Sequence, residues 1–342
     1  MKKLIRTLCK EAGKEPEDIY QVSVVGNTCM HHLFLGISPA SLVHAPYTPA
    51  VSERLVLNAG DYGLAVQERA ELIMLSDIAG YVGADTCGCL LAIRQDQQEE
   101  ISLMIDIGTN GEMVLGNRER LVTCSTAAGP AFEGAKIECG MRGAAGAVDH
   151  VKYEEGKWNY TTVGNKPAVG LCGSGLINLV AGLLDAGMLD ENGVLRSGQE
   201  KQGVFILVPP ERGGNERGVY LTQKDLGEVQ LAKAAIAAGI QMLMERLGIT
   251  EDDICSVYIA GAFGNYMDPV SAGKIGLLPA TLVKKVKPVG NAAGEGAKIA
   301  LVNEKEMLEM DELVRKIEFV ELAASADFQD HFIDELGFET GE

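Results

Sequence analysis

An α/β fold is predicted by three features of this 342-residue chain. Hydrophobic residues make up 46% and glycines number 41, which suits a globular α/β protein with many tight turns. Three strand-like apolar runs end in glycine-rich turns: Gly26-Asn27-Thr28, Gly108-Thr109-Asn110-Gly111 and Gly261-Ala262-Phe263-Gly264. Two helical segments carry small residues on one face, Gly80, Ala84 and Gly88 in the first and Gly294 and Ala297 in the second. Ligands of open α/β sheets bind at the carboxyl ends of strands, where such turns lie, and small-faced helices let backbones approach closely.

Taken in order, Leu4, Ile5, Leu8 and Ala12 repeat at helical spacing and predict a helix from Lys2 to about Ala12, with Pro16 starting a turn. Val22–Val25 reads as a strand, and Cys29–Leu35 continues beyond its turn as a helix. Pro39, Pro46 and Pro49 make the next section irregular. The first small-faced helix is expected from about Asp77 to Leu91. A strand pair surrounds Asp106, and a glycine-rich stretch, Ala127–Ala135, follows it. Gly170-Leu171-Cys172-Gly173-Ser174-Gly175 leads into an apolar helix from Leu176 to Ala186, with Gly187 as its C-cap. Gln199–Arg217 is polar and reads as a surface excursion. Thr222-x-x-Asp225 is a capping box opening a long helix with Ile236, Ile240, Leu243 and Leu247 on one face. Ile254–Ile259 is a strand, the second small-faced helix starts near Gly290 and ends near Val302, and Asp311–Glu342 reads as helix, strand and acidic solvated tail.

Bulk properties exclude several function classes. The length favours one large two-lobed domain or two domains. A formal net charge of -18 argues against a nucleic-acid binder, which presents a basic face. No run approaches the ~18 apolar residues of a membrane span, and Arg6 and Lys10 break up the brief resemblance of Met1-Lys2-Lys3-Leu4-Ile5 to a leader peptide. A cytoplasmic protein is expected. The 8 cysteines show no C-x-x-C pair, so spacing encodes neither a zinc ribbon nor a ferredoxin-type cluster. Cys87 and Cys89 point apart on a helix and read as reduced core thiols. His31 and His32 are adjacent on a helix with no evident third ligand, so packing or solvent-facing roles are favoured over a metal site.

The segment around Asp106 carries the most chemical information. An apolar run, Leu103–Ile105, delivers a lone carboxylate to its end, and Gly108-Thr109-Asn110-Gly111 follows. Such a carboxylate can hold a cation through water, while glycine lets backbone N–H groups reach phosphate oxygens. A plain hairpin turned by Asn110-Gly111 is the other reading, and it leaves Asp106 unexplained. None of the turns fits G-x-x-x-x-G-K-[ST] or G-x-G-x-x-G.

Asp106-Ile107-Gly108-Thr109-Asn110-Gly111-Glu112 resembles the second phosphate hairpin of the acetate kinase/sugar kinase/heat-shock chaperone/actin (ASKHA) superfamily. Gly80–Asp85 is similar to its first connecting helix, Ile259–Gly264 to its adenosine turn and Gly290–Gly294 to its second connecting helix, in the same order. Within the superfamily, Val25–Leu33, Ala128–Ala135, Gly170–Ile177, Gln230–Ile236 and Ser271–Pro279 resemble the C-terminal part of the reductive activators of corrinoid proteins, the RamA-like corrinoid-activating ATPases. The resemblance covers roughly Val22 to Val302.

That resemblance implies RNase-H-like subdomains in two lobes around a nucleotide cleft, with Asp106 and Gly261 facing each other across it. Residues 1–100 would be the remainder of the first lobe, with the first connecting helix, and 101–342 the second lobe. It implies ATP and Mg²⁺ as cofactors, with Asp106 at the metal, Gly108, Thr109, Asn110 and Gly111 at phosphate, and Gly129 as a further cofactor-binding residue. Gly261, Ala262, Phe263 and Gly264 would approach adenosine. Asp85, Glu112 and Glu133 become catalytic candidates that orient water or magnesium, and for Asp85 a plain helix carboxylate stands as an equal reading.

Family members begin with a [2Fe-2S] ferredoxin domain and a first Asp-x-Gly-Thr hairpin, neither of which this sequence contains. A C-terminal fragment or shortened relative is therefore expected, binding nucleotide weakly and turning it over slowly or not at all. The implied activity is ATP-dependent reduction of cob(II)alamin to cob(I)alamin on a corrinoid protein. Its partners would be that protein, an electron-donating ferredoxin domain and a second copy in a homodimer, with no nucleic acid or membrane. Two alternatives stand beside it: an ATPase like the activators of 2-hydroxyacyl-CoA dehydratases, and a partner-binding module without catalysis.

Overall fold

The computed structural model describes residues 1–196, 203–323 and 325–338. In chain order come α1 (Lys2–Ala12), β1 (Gln21–Val24), α2 (Thr28–Leu35), β2 (Leu55–Asn58), β3 (Glu71–Met74) and α3 (Ala84–Ile93). Next are β4 (Ile101–Ile107), β5 (Gly111–Gly116), β6 (Leu121–Thr126), β7 (Ala147–Glu154), β8 (Lys157–Thr162), β9 (Gly170–Leu171) and α4 (Gly173–Asp185). A hairpin of β10 (Val204–Val208) and β11 (Val219–Thr222) precedes α5 (Gln223–Leu247) and β12 (Ile254–Ala260). The chain closes with α6 (Gly261–Gly264), α7 (Pro269–Lys274), β13 (Val286–Gly290), α8 (Ala292–Val302), α9 (Glu304–Val314), β14 (Glu318–Phe319) and α10 (Ala326–Asp334). Gln199–Gln202 of the expected polar excursion, and 339–342 of the expected tail, lie outside the described residues. Within that excursion β10 forms, and α10 stands in what reads from the sequence as tail.

Two compact units result, one of residues 1–99, 117–123 and 291–319, the other of 100–116, 124–290 and 320–342. In the first, β3 is central: it pairs parallel with β1 and antiparallel with β2. Leu72 and Met74 of β3 pack with Ala59, Leu64 and Ala70, and Ile5, Val22 and Phe34 close over them. Removing this apolar surface from water is the main favourable contribution to the unit.

The Gly-Asn-Thr turn after β1 is tied down by its own side chains. Asn27 caps α2 by accepting from the Cys29 N–H at 3.0 Å, and the Thr28 hydroxyl donates to the Ala79 carbonyl at 2.7 Å. His31 and His32 are both buried. His32 Nδ1 donates to the Thr28 carbonyl at 2.8 Å and Nε2 accepts from the Ala50 N–H at 2.9 Å, which fixes its tautomer. His31 Nδ1 lies 3.2 Å from Asp77, whose other oxygen accepts from the Ala84 N–H at 2.9 Å.

That last bond explains where α3 begins. Asp77–Gly83 is not helical, contrary to expectation, because Asp77 caps the helix from outside and Gly80 and Gly83 are small for a different reason. A Cβ on Gly80 would lie 2.0 Å from the Tyr47 carbonyl, and one on Gly83 2.6 Å from the Asn27 Cα. Both glycines admit crossing backbone, not a helix. The expected close packing of the two small-faced helices is present, through the expected Gly88 on one side but Gly296 in place of Gly294 and Ala297 on the other. A Cβ on Gly88 of α3 would lie 2.6 Å from the Ala293 carbonyl, and one on Gly296 of α8 1.9 Å from the Gly88 carbonyl. The inward stripe of α8 is Ala292, Gly296 and Ala300, rather than Gly294 and Ala297.

In the second unit a sheet runs in the order β13-β12-β4-β5-β6, the last through its Cys124–Thr126 end. β4 pairs parallel with β12 and antiparallel with β5. Helix α5 starts on the expected capping box of Thr222 and Asp225 and ends at Gly248, φ 70°. A Cβ on its Gly239 would lie 2.3 Å from Met113 Cε, so the helix rides close on β5. A second sheet, β8-β7-β9, lies against α4, where a Cβ on Gly175 would fall 2.2 Å from the Val148 carbonyl. Lys233 of α5 is almost fully buried; its ammonium donates to the Gly337 carbonyl and sits 5.7 Å from the centre of the Phe338 ring, fastening the chain after α10.

Candidate functional site

Asp106 is the sixth residue of β4, and its partner across β12 is Ala260. Because the two strands run parallel, both glycine-rich turns leave the same end of the sheet as immediate neighbours. The expected arrangement, with Asp106 and Gly261 facing each other across a cleft, is thus corrected: they sit side by side at one end of a single sheet, in one unit. Gly261 takes φ +85°, and a Cβ there would lie 2.8 Å from Asp106 Oδ1. Glycine is required on both counts, for the left-handed backbone and for the carboxylate beside it.

The turn itself is tight. The Gly108 N–H donates to the Asn110 carbonyl at 2.9 Å, and Ile107 pairs with Gly111 as β5 begins. A Cβ on Gly111 would meet Thr126 Oγ1 at 2.9 Å and Ile236 Cγ1 at 3.2 Å. Glu112, buried, pairs with Asp106 across the hairpin. Glu133, from the glycine-rich stretch after β6, reaches over this turn: the Thr109 hydroxyl donates to its carboxylate at 3.2 Å. Gly129 opens that stretch in a left-handed conformation, φ +76°.

One sheet end thus gathers Asp106, Glu112, the Gly108–Gly111 turn, Glu133 and the Gly261–Gly264 helix, α6. The side chain of Ala262 lies outside those described. A cavity of about 570 Å³ adjoins them, lined by Phe132, Glu133, Arg142, Asp149, Ser174 and Phe263 among others. The Phe132 and Phe263 rings stack at 5.7 Å between centroids. Phe263 fits because the facing residue is Gly173, where a Cβ would lie 2.7 Å from its ring. Of the cavity residues, Gly173 and Ser174 open α4 within a glycine-rich stretch visible in the sequence, whereas Arg142 and Asp149 carry no local signal.

Asp85 belongs to the other unit, in the first turn of α3. Burial pushes its carboxyl above the usual range, the hydrogen bond from the Thr86 N–H opposing; Asp77 is raised by burial too, against the pull of His31. Since the folded state holds the proton more tightly, the stabilising contribution of Asp85 is complete below its ordinary value of 3.8 and is lost as pH rises through the elevated one. Asp85→Asn keeps the acceptor for Thr86 and removes the charge. We expect a higher melting temperature than wild type at pH 7 and a shrinking difference toward pH 4. A lower melting temperature at pH 7 would contradict the burial argument.

Residues 100–342 match a family described as the C-terminal domain of RACo, the ASKHA domain, and residues 1–98 match the RACo middle region. The chain belongs to the RACo family. It is 36% identical to the corrinoid activation enzyme RamQ of Eubacterium limosum over 96% of this chain and 58% of that protein. It is 29% identical to a Co(II) methylated amine-specific corrinoid protein reductase of Methanosarcina barkeri, over 82% of this chain and 54% of the other. Among solved structures, a reductive activator for corrinoid, iron-sulfur protein superposes with a TM-score of 0.90 at 39% identity, over 98% of this chain and 55% of that one. The chain therefore spans a little over half the length of these relatives. The fold is the ASKHA α/β fold, as the resemblance implies. Among the described residues no helix is long and apolar enough to cross a membrane.

Proposed function

We propose that this chain is the nucleotide-binding part of an activator that couples ATP to one-electron reduction of cob(II)alamin to cob(I)alamin on a corrinoid protein. The observation that carries the reading is the side-by-side placement of the Asp106 hairpin and the Gly261 turn, with a nucleoside-sized cavity beside them. The phosphates would lie on the Gly108–Gly111 backbone and the Thr109 hydroxyl, and the nucleoside against Phe132 and Phe263. Such turns bind anions because successive backbone N–H groups point at one spot.

The donor set fits magnesium. Among the described residues no group of three or more His, Cys, Asp and Glu side chains could enclose a metal. Magnesium asks for no such cage, being held by one or two carboxylates together with phosphate oxygens and water. Asp106 and Glu133 would supply the carboxylates. When bound, the ion contributes positive charge that neutralises developing charge on the phosphates. Glu112 and Glu133 would hold or orient water, and the Thr109–Glu133 hydrogen bond keeps Glu133 over the turn. The same donor set does not fit an iron–sulfur cluster, so the electron would come from a ferredoxin-type partner. Nucleotide would act by favouring a state with higher affinity for that partner or for the corrinoid protein.

Calorimetric titration with Mg-ATP tests the reading. One nucleotide per chain is expected, with much weaker binding when EDTA replaces magnesium. No heat of binding under either condition would overturn it.

A further inference from the structure

Arg142 has no role in the site as described so far. It lines the cavity, is exposed, and makes no ion pair or side-chain hydrogen bond with any described residue. The other charged side chains lining the cavity, Glu133 and Asp149, are both acidic. Asp149 is engaged by the Thr161 hydroxyl at 2.6 Å, and Lys136, from the same loop as Glu133, is paired with Glu228 at 3.1 Å.

Backbone crossing places Arg142 on the hairpin side of the cavity. A Cβ on Gly134 would lie 2.5 Å from the Met141 N, so the residue after Glu133 and the residue before Arg142 are in contact. Glu133 in turn accepts from Thr109 of the hairpin. A polyphosphate lying on that turn would therefore run past the rim where Arg142 stands. The ligand is strongly anionic, the chain carries a net charge of -18, and the turn is flanked by carboxylates. A guanidinium with no partner among the described residues is the group such a ligand lacks, and its planar fork suits two phosphate oxygens at once.

Resting on the nucleotide reading above, we infer that Arg142 contacts the phosphate chain and sets the preference for triphosphate over the bare nucleoside. The test is binding of Mg-ATP and of adenosine to the full chain, its Arg142→Met variant and its Arg142→Lys variant. Arg142→Met is expected to weaken Mg-ATP roughly ten- to hundredfold, the range of a lost charge-assisted hydrogen bond. Arg142→Lys should weaken it less, because the charge is kept and the fork lost, and adenosine should bind all three alike. Unchanged melting temperatures are expected, since the side chain is exposed and has no partner among the described residues. Mg-ATP binding by Arg142→Met at wild-type affinity, or an equal loss for adenosine, would overturn the assignment while leaving the nucleotide reading intact. Failure of the wild type itself to bind Mg-ATP would overturn both.

Discussion

Asp106→Asn is expected to lower Mg-ATP affinity by about a hundredfold or more, since even outer-shell partners of a metal site are worth ~10–100-fold. Asparagine matches the shape of the carboxylate beside Gly261 and keeps an acceptor oxygen there, so the turn geometry survives while the charge that attracts the cation is removed. Binding of nucleotide measured without magnesium should change far less. That contrast separates loss of a metal contact from loss of the fold. Equal weakening with and without magnesium would place the metal elsewhere, and unchanged affinity would remove Asp106 from the site.

The second large effect concerns stability. Gly296→Leu is expected to destabilise the first unit by about 3 kcal/mol or more, at or beyond the upper end of overpacking costs. The added Cβ would stand 1.9 Å from the Gly88 carbonyl. The obstacle is backbone within α3, so no side-chain rotation relieves it, and α3 must separate from α8. Urea denaturation and amide exchange over 84–93 would report the change. Unaltered exchange there would show that the two helices do not depend on this contact.

Legibility followed the range of the interactions involved. α1 and α5 are readable because their determinants are local: helical spacing of Leu4, Ile5 and Leu8, and a capping box confined to the four residues Thr222–Asp225. β2 and β3 carry no such local signal: unlike β1, neither leads directly into a glycine-rich turn and an α-helix, and each is set by pairing across the sheet. Gly80 misled for a similar reason. Its small size serves the Tyr47 backbone, distant in sequence, yet its spacing from Ala84 and Gly88 mimics a helix face.

The site divides in the same way. An isolated carboxylate followed by glycines is a local pattern, so Asp106 and its turn could be singled out from sequence. That β4 and β12 are direct neighbours is a matter of strand order, and no local pattern carries it. Arg142 reaches the cavity through the crossing at Gly134, where a loop returns on itself, and spacing along the chain cannot reveal that.

The central claim is that phosphate binds at the carboxyl ends of β4 and β12. A crystal structure of the chain with magnesium and a non-hydrolysable ATP analogue tests it most directly. The account predicts phosphate oxygens on the Gly108–Gly111 backbone, magnesium within reach of Asp106 and the base against Phe132 and Phe263. Nucleotide bound with its phosphates away from Asp106, and the hairpin unoccupied, would contradict it.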